Sequence, residues 1–339
     1  MSISRILRRT LFAVAAAATL GLCVMAWPSM AADKPDVVRL GFYGGPRPWI
    51  IGKAQGLFEK DLGTKVQWVQ LSSGAAGLSA LAAGEVDISR LGSTPTVASI
   101  ARRLPVKMIA ISGVIATSER LIAKEGIKTA ADLRGKRVAY PPGSTGHYAL
   151  MAALKVAGVP DDQVTLLGLK PADMLAAWQR NDIDAAYVWG PFSHQMEAQK
   201  GHHVLATVDL QKDGYYVWND YVVRTKFAEQ YPEIVVQFLK TFEKTVELYK
   251  KDPEGMVKVV AKELEQGEAA VADTMGGLAY PSFKEQLSDK YLGEGGPIAK
   301  AMMDQAKFMA EMGDLKTREI PKDFQSAIDL KYMKTAVGQ

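Results

Sequence analysis

The chain has 339 residues, of which 48% are hydrophobic and 23% are charged, and its formal net charge is +4. This composition excludes a disordered or fibrous protein, and a mean hydropathy of −0.03 excludes one that crosses a membrane many times. The length is that of a protein with two domains.

Residues 1–31 have the pattern of a cleaved secretory signal peptide. Arg5, Arg8 and Arg9 precede an apolar stretch over 11–25, which is too short to span a bilayer, and Ala31 ends a small-residue cleavage site. We therefore expect a protein of the periplasm. The Arg8-Arg9 pair leaves twin-arginine export open beside the general export route.

Cleavage after Ala31 would remove the single cysteine, Cys23, and three arginines but no acid. Lipidation at Cys23 is not expected, because the preceding Leu22 is bulky where lipoprotein sites have a small residue. The mature chain would be nearly neutral, without a thiol or a disulfide. No dense basic stripe with interleaved aromatic residues is present, so we expect no nucleic-acid partner.

Strand and helix patterns alternate along the first two thirds of the mature chain. Extended apolar runs predict strands at 37–42, 66–71, 86–91, 106–112, 120–123, 136–140, 164–169, 185–189 and 221–224. Helical patterns are predicted at 49–60, 74–83, 148–156 and 171–181, with another helix opening at 92–95. The chain beyond Phe227 is predicted to be mostly helical. This order indicates an α/β fold with two lobes, each a mostly parallel sheet flanked by helices.

Three helix starts carry hydroxyl residues and glycine: Ser72-Ser73-Gly74, Gly92-Ser93-Thr94 and Gly143-Ser144-Thr145. The first turn of a helix offers unpaired N–H groups and partial positive charge, so each could bind an anion. Plain N-capping is the alternative explanation. In open α/β sheets ligands lie beyond the carboxyl ends of the strands, where these loops fall.

Aromatic residues occur near predicted strand ends and helix starts, at Trp49, Tyr148, Tyr187, Trp189 and Trp218. They could form the walls of a small-molecule site or surround a cation with ring faces. The alternative is that they belong to the core.

Motifs for catalysis and metal binding are weak. Ser144, Thr145 and His147 are close in sequence, but they lack the Gly-x-Ser-x-Gly pattern of a nucleophile elbow. No nucleotide-binding glycine motif is present, and the adjacent His202 and His203 have no third ligand at suitable spacing. We expect no catalytic residues, no cofactor and no metal.

Several longer motifs resemble a known family, the periplasmic substrate-binding proteins of ABC transporters for taurine and aliphatic sulfonates. The likeness extends over about 37–310 and is carried by Ser73-Gly74-Ala75, the runs 81–88, 91–95 and 132–139, Thr145-Gly146-His147-Tyr148, and the run 176–191, Ala-Ala-Trp-Gln-Arg-Asn-Asp-Ile-Asp-Ala-Ala-Tyr-Val-Trp-Gly-Pro.

The resemblance implies a clamshell that encloses its ligand between two lobes and docks, when closed, on a membrane permease. The first lobe would comprise 36–117 and 221–339, and the second 118–220. Together with the helix starts, the resemblance gives the expected ligand-binding residues: Trp49, Ser73, Gly74, Gly92, Ser93, Thr94, Glu119, Ser144, Thr145, His147, Trp189 and Asn219.

The chain also departs from the family pattern. Ser72 stands where the family has an acid, Arg90 where it has Asn, and Asn219 where it has Asp, whereas Glu119 keeps the expected acid. The segment 43–49 departs too. We therefore expect a taurine relative or another small aminosulfonate or aliphatic sulfonate as ligand. The chain is expected to be a monomer. The alternatives are an enzyme related to pyrimidine (thiamin precursor) synthesis on the same fold, and an exported solute sensor.

Overall fold

The computed structural model describes residues 34–43 and 45–339. The signal-peptide prediction and the Cys23 prediction fall outside these residues. Within them, no helix is both long and apolar enough to cross a membrane.

The strands of the described chain form two sheets. Their bounds are β1 Val37–Phe42, β2 Lys65–Gln70, β3 Ile88–Gly92, β4 Val106–Ile115, β5 Glu119–Ala123, β6 Arg137–Tyr140, β7 Thr165–Gly168, β8 Ala185–Trp189, β9 His202–Ala206, β10 Trp218–Arg224 and β11 Leu278–Ala279. One sheet has the order β11-β4-β10-β3-β1-β2, and the other β7-β6-β8-β5-β9.

Helices connect the strands and form most of the C-terminal third. Their bounds are α1 Trp49–Ala54, α2 Leu57–Leu62, α3 Gly74–Ala83, α4 Ser93–Ala101, α5 Thr145–Val156, α6 Pro171–Gln179, α7 Phe192–Glu197, α8 Thr225–Gln230, α9 Pro232–Lys251, α10 Pro253–Leu264, α11 Glu268–Gly276, α12 Phe283–Gln286, α13 Pro297–Glu311 and α14 Lys331–Ala336. The α/β prediction is confirmed.

Both sheets contain parallel and antiparallel pairs. The strands β1, β2 and β3 are parallel, as are β6, β7 and β8, which is the predicted arrangement. However, β10 runs antiparallel to β3 and β4, and β5 runs antiparallel to β8 and β9. These antiparallel strands adjoin the two chain crossings between the sheets, so each sheet is mixed.

The first crossing is a short segment between β4 and β5. The backbone N–H groups of Ala116, Thr117 and Ser118 all point to the carbonyl oxygen of Gly277, each at 3.1 Å. Gly277 directly follows α11. The C-terminal helices therefore fix the place where the chain leaves the six-stranded sheet.

Local sequence explains how the helices near the site begin and end. The predicted helix 49–60 is two helices, because Gly56 adopts a left-handed conformation with φ of 62° between them. Ser73 accepts a hydrogen bond from the Ala76 N–H, and Ser144 accepts one from the His147 N–H, so these serines cap α3 and α5. Helix α4 begins directly after β3 with Gly92 as its N-cap.

Candidate functional site

The N-termini of α4 and α5, which follow strands of different sheets, lie against each other. A Cβ atom built on Gly92 would be only 2.9 Å from Cγ2 of Thr145, so a side chain at position 92 would force the two helix starts apart. The Tyr43 hydroxyl accepts a hydrogen bond from the Gly92 N–H at 2.8 Å and fixes this strand end. Two helix N-termini, each with partial positive charge, therefore meet between the sheets.

Glu119 lies at the start of β5 beside Thr145. The Thr145 hydroxyl donates to Oε1 of Glu119 at 2.8 Å, and both side chains are buried. Within the described chain, Oε2 of Glu119 has no hydrogen-bond partner. Burial raises the pKa of Glu119 to about 7, although the Thr145 hydrogen bond and the charges of Arg47 and Arg90 oppose the shift.

Two arginines are buried on the six-stranded-sheet side of the same region. Arg90 projects from β3 and donates from Nη1 to the Tyr43 carbonyl at 2.8 Å, while Arg47 donates from Nη1 to the Pro46 carbonyl at 2.6 Å. Their exposed fractions are 2% and 3%. Among the described residues, neither guanidinium has a carboxylate within 4.0 Å, and neither Nε atom has a hydrogen-bond partner.

The two guanidinium groups also act on each other. Burial and then the charge of Arg90 lower the pKa of Arg47 to about 10, a shift that Tyr280, Glu119 and Tyr43 only partly offset. A buried cation without a matched anion is costly because it has lost its hydration. The arrangement is therefore suited to an anion that both arginines can reach.

Asn219 and Asp220 occupy opposite faces of β10. Asn219 pairs with Gly92 across the strands, and its buried Nδ2 has no partner in the described structure. Asp220 instead accepts from Thr96 at 2.7 Å and from the Trp218 indole at 3.1 Å. Asn219 thus belongs to the candidate site, whereas Asp220 is satisfied inside the packing around α4.

The predicted hydroxyl donors differ in what they bind. Ser73 and Ser144 are used as helix caps, and Ser144 also donates to the Pro141 carbonyl at 2.6 Å. Thr94 donates to Gln305 at 3.4 Å. Ser93 is fully buried, and its hydroxyl has no partner in the part of the chain that is described. Capping accounts for Ser73 and Ser144, and Ser93 remains available to a ligand.

Gly74, the remaining glycine of the predicted set, lies beside this region. A Cβ atom on it would be 2.7 Å from Cγ of Pro95 and 3.0 Å from the Tyr43 hydroxyl. Its lack of a side chain lets α3 begin close to Tyr43 and α4.

The tryptophans are mostly enclosed by protein. Trp49 stacks on Trp68 with ring centroids 5.3 Å apart, although its buried indole nitrogen has no partner among the described residues. The Trp218 indole donates a hydrogen bond to Asp220, so Trp218 lies on the face of β10 away from Asn219. Trp189 is the register partner of Glu119 and is 6% exposed. Contact of Trp49 or Trp189 with a ligand stays a prediction.

His147 lies at the edge of the site. Its ring stacks on Tyr140 at 4.4 Å, and its Nδ1 is 3.5 Å from a carboxylate oxygen of Asp314. Burial lowers its pKa, while the charge of Asp314 opposes the shift. The Ser144 hydroxyl is not bonded to this ring, so the pair lacks the hydrogen bond of an activated nucleophile.

Metal binding finds no support in the described residues, where no three His, Cys, Asp or Glu side chains are grouped closely enough to hold an ion.

Arg47 and Arg90 are the site residues that sequence reasoning missed. Arg90 is the middle residue of β3, Ile-Ser-Arg-Leu-Gly, and Arg47 lies between β1 and α1. A charged residue inside a short buried strand was the available signal. Ser118, buried with an unpartnered hydroxyl in the described chain, was also missed.

Comparison with known proteins identifies the family. The family model described as NMT1/THI5-like matches residues 47–256. The chain belongs to this family. The taurine-binding periplasmic protein of Escherichia coli K12 is 31% identical to this member over 320 residues, which cover 92% of this chain and 97% of the relative.

Solved structures share the fold of this NMT1/THI5-like protein. The alkanesulfonate-binding protein SsuA from Xanthomonas axonopodis pv. citri, bound to MOPS, matches with a TM-score of 0.72 and 22% identity over 85% of this chain and 97% of its own. The desulfurization enzyme DSZB matches with a TM-score of 0.64 and 12% identity over 89% and 99%. The two-lobed binding-protein fold is thus shown, and it is a fold that also supports an enzyme.

Proposed function

We propose that this protein is the periplasmic solute-binding component of an ABC importer and that it binds a small organic sulfonate without changing it chemically. The observation that carries the proposal is a set of buried polar atoms without hydrogen-bond partners among the described residues, located where the two sheets meet: Nε of Arg47, Nε of Arg90, Oγ of Ser93, Oε2 of Glu119 and Nδ2 of Asn219. The family membership and the names of the relatives support the same ligand class.

The chemistry of the site fits a sulfonate. A sulfonate has three oxygen atoms that accept hydrogen bonds and carry a delocalised negative charge. Guanidinium groups, a serine hydroxyl and an amide nitrogen are donors, and hydrogen bonds to charged groups contribute about 1.5–3 kcal/mol each. The meeting N-termini of α4 and α5 add partial positive charge.

Binding is proposed to close two lobes on the ligand. The first lobe comprises 36–117 together with 221–339, and the second comprises 118–220. The strands support the first boundary, because β4 of the six-stranded sheet ends at Ile115 and β5 of the other sheet begins at Glu119. At the second boundary, β10 of the six-stranded sheet begins at Trp218, so residues 218–220 would move with the first lobe although this division places them in the second. A ligand held by both lobes binds the closed state preferentially and shifts the population towards it.

We also propose that the signal peptide at 1–31 directs export and that the protein is a monomer. It would deliver its bound solute to a membrane permease. Against catalysis, the Ser144 hydroxyl is bonded to the Pro141 carbonyl and the His147 backbone N–H rather than to the His147 ring.

Native mass spectrometry of protein purified without refolding should detect a co-purified sulfonate. Titration calorimetry with ethanesulfonate, isethionate and taurine, with acetate as the control, should show binding of at least one sulfonate and none of acetate. Small-angle scattering should show a smaller radius of gyration with the bound sulfonate. Absence of binding by every sulfonate, or an unchanged scattering profile at saturation, would contradict the proposal.

A further inference from the structure

The candidate site contains two kinds of anion-binding group. Arg47 and Arg90 lie beside Tyr43, whereas Ser93 and Thr145 lie at the two helix N-termini. Hydrogen bonds and close contacts link these groups through Tyr43, Gly92 and Thr145. The site therefore has two sets of anion-binding groups, one of guanidiniums and one of helix starts.

The acids near the arginines do not neutralise them within the described structure. Glu119 is held by Thr145 and lies farther than 4.0 Å from both guanidiniums, and Asp220 is occupied by Thr96 and Trp218. Burial raises the pKa of each of these carboxyls to about 7 and so weakens its negative charge near neutral pH. The positive charge of the arginines is left for a ligand to balance.

An ammonium group would be poorly placed in this site. This part of the site contains the two buried cations Arg47 and Arg90 and the neutral amide of Asn219, and Glu119 is the carboxylate beside them. A cation near Glu119 would be repelled by the charges of Arg47 and Arg90, which already act on that carboxyl. A zwitterion such as taurine brings no net negative charge to the pair.

We propose that the preferred ligand is a small sulfonated carboxylate with two anionic groups, one bound by Arg47 and Arg90 and the other at the N-termini of α4 and α5. This inference rests on the proposed function, since it takes the sulfonate as one of the two groups. The arginine pair selects for the second anion and against an amine.

Titration calorimetry at neutral pH tests the inference with sulfoacetate, taurine, ethanesulfonate and malonate. Sulfoacetate should bind at least tenfold more tightly than taurine and ethanesulfonate. Equal or tighter binding of taurine or ethanesulfonate would overturn the two-anion ligand and leave sulfonate binding intact. Binding of malonate as tight as that of sulfoacetate would support two anions and overturn sulfonate specificity, and no binding of any sulfonate would overturn both.

Variants separate the role of the arginines from general damage. Arg90→Asn should weaken sulfoacetate binding at least 30-fold and weaken taurine binding by a clearly smaller factor, because taurine has one anionic group rather than two. Arg47→Gln should act in the same direction and serves as a second variant if the first does not fold. Arg137→Asn, which alters an exposed arginine paired with Asp184 at 2.7 Å, is the control and should leave all affinities unchanged. Equal losses for sulfoacetate and taurine in both site variants would overturn the assignment.

Discussion

His194 and Asp273 form a hydrogen bond of 2.6 Å between α7, which lies against the five-stranded sheet, and α11, which lies beside β11 of the six-stranded sheet. Arg120 of β5 also pairs with the Asp273 carboxylate. These contacts join the two halves through side chains that do not belong to the candidate ligand-binding set. They are expected to favour the closed arrangement.

Asp273→Asn should therefore weaken ligand binding without affecting folding of the ligand-free protein. The side chain of Asp273 is 45% exposed, so solvent screening limits the effect to about threefold to fivefold in affinity. Calorimetry gives the affinity, and Asp304→Asn is the matched control because its 2.7 Å pair with Lys300 stays within α13. Equal affinities in the two variants would show that the contact plays no part in closure.

The stability of the ligand-free protein should depend on pH through Glu119 and Asp220. Burial raises both pKa values to about 7 in the folded state, from 4.5 and 3.8. At pH values between the unfolded-state pKa and the folded-state pKa, the folded state binds more protons than the unfolded state. The free energy of unfolding therefore falls as pH rises from about 5 to about 8. Urea titrations across this range measure the slope.

Glu119→Gln should reduce that slope, because it removes one of the two raised groups. The amide keeps an oxygen that can accept from Thr145. Glu311→Gln, at an exposed position on α13, is the control and should leave the slope unchanged. A slope that is the same in Glu119→Gln and in the parent protein would contradict the assigned shift.

Ser93 and Ser144 should respond oppositely to replacement by alanine. Ser93→Ala loses no protein hydrogen bond among the described residues and should keep its melting temperature, but it should weaken ligand binding about tenfold or more. Ser144→Ala removes the cap of α5 and should lower the free energy of unfolding by about 1 kcal/mol. Calorimetry and thermal melts of both variants provide the comparison, and undiminished affinity in Ser93→Ala would remove that hydroxyl from the site.

Gly92→Ala tests the approach of the two helix starts. The added methyl group would meet Thr145 at 2.9 Å, so closure should be hindered and affinity should fall by about tenfold or more while each half still folds. Gly276→Ala is the control, because a Cβ atom there has nothing within 4 Å. Scattering of Gly92→Ala with saturating ligand should show a larger radius of gyration than the parent, and an identical radius would contradict the prediction.

The features that sequence predicted well are those with local signals. The hydroxyl-glycine starts of α3, α4 and α5 were located correctly because caps and turns depend on adjacent residues. The antiparallel insertion of β10 between β3 and β4 was not predicted, because it joins positions more than 100 residues apart and no local pattern encodes it.

The position of the arginine pair could not be predicted from the sequence for a different reason. Arg90 sits in a strand buried on both faces, so alternation of polar and apolar residues could not indicate where its side chain goes. Arg47 lies in the segment between β1 and α1, which has no strand or helix period to indicate where its side chain goes. Whether a helix-start serine serves as a cap or remains free, as for Ser144 and Ser93, also depends on partners that only the folded chain supplies.

The backbone contact between Gly45 and Gly190 limits how closely the two halves can meet. A Cβ atom on Gly45 would lie 2.5 Å from the carbonyl oxygen of Gly190, so the clearance is smaller than one methyl group. A Cβ atom on Gly190 would in turn overlap Oγ1 of Thr274. Under the proposed closure, a side chain at either position would therefore act as a wedge and keep the two halves from meeting fully.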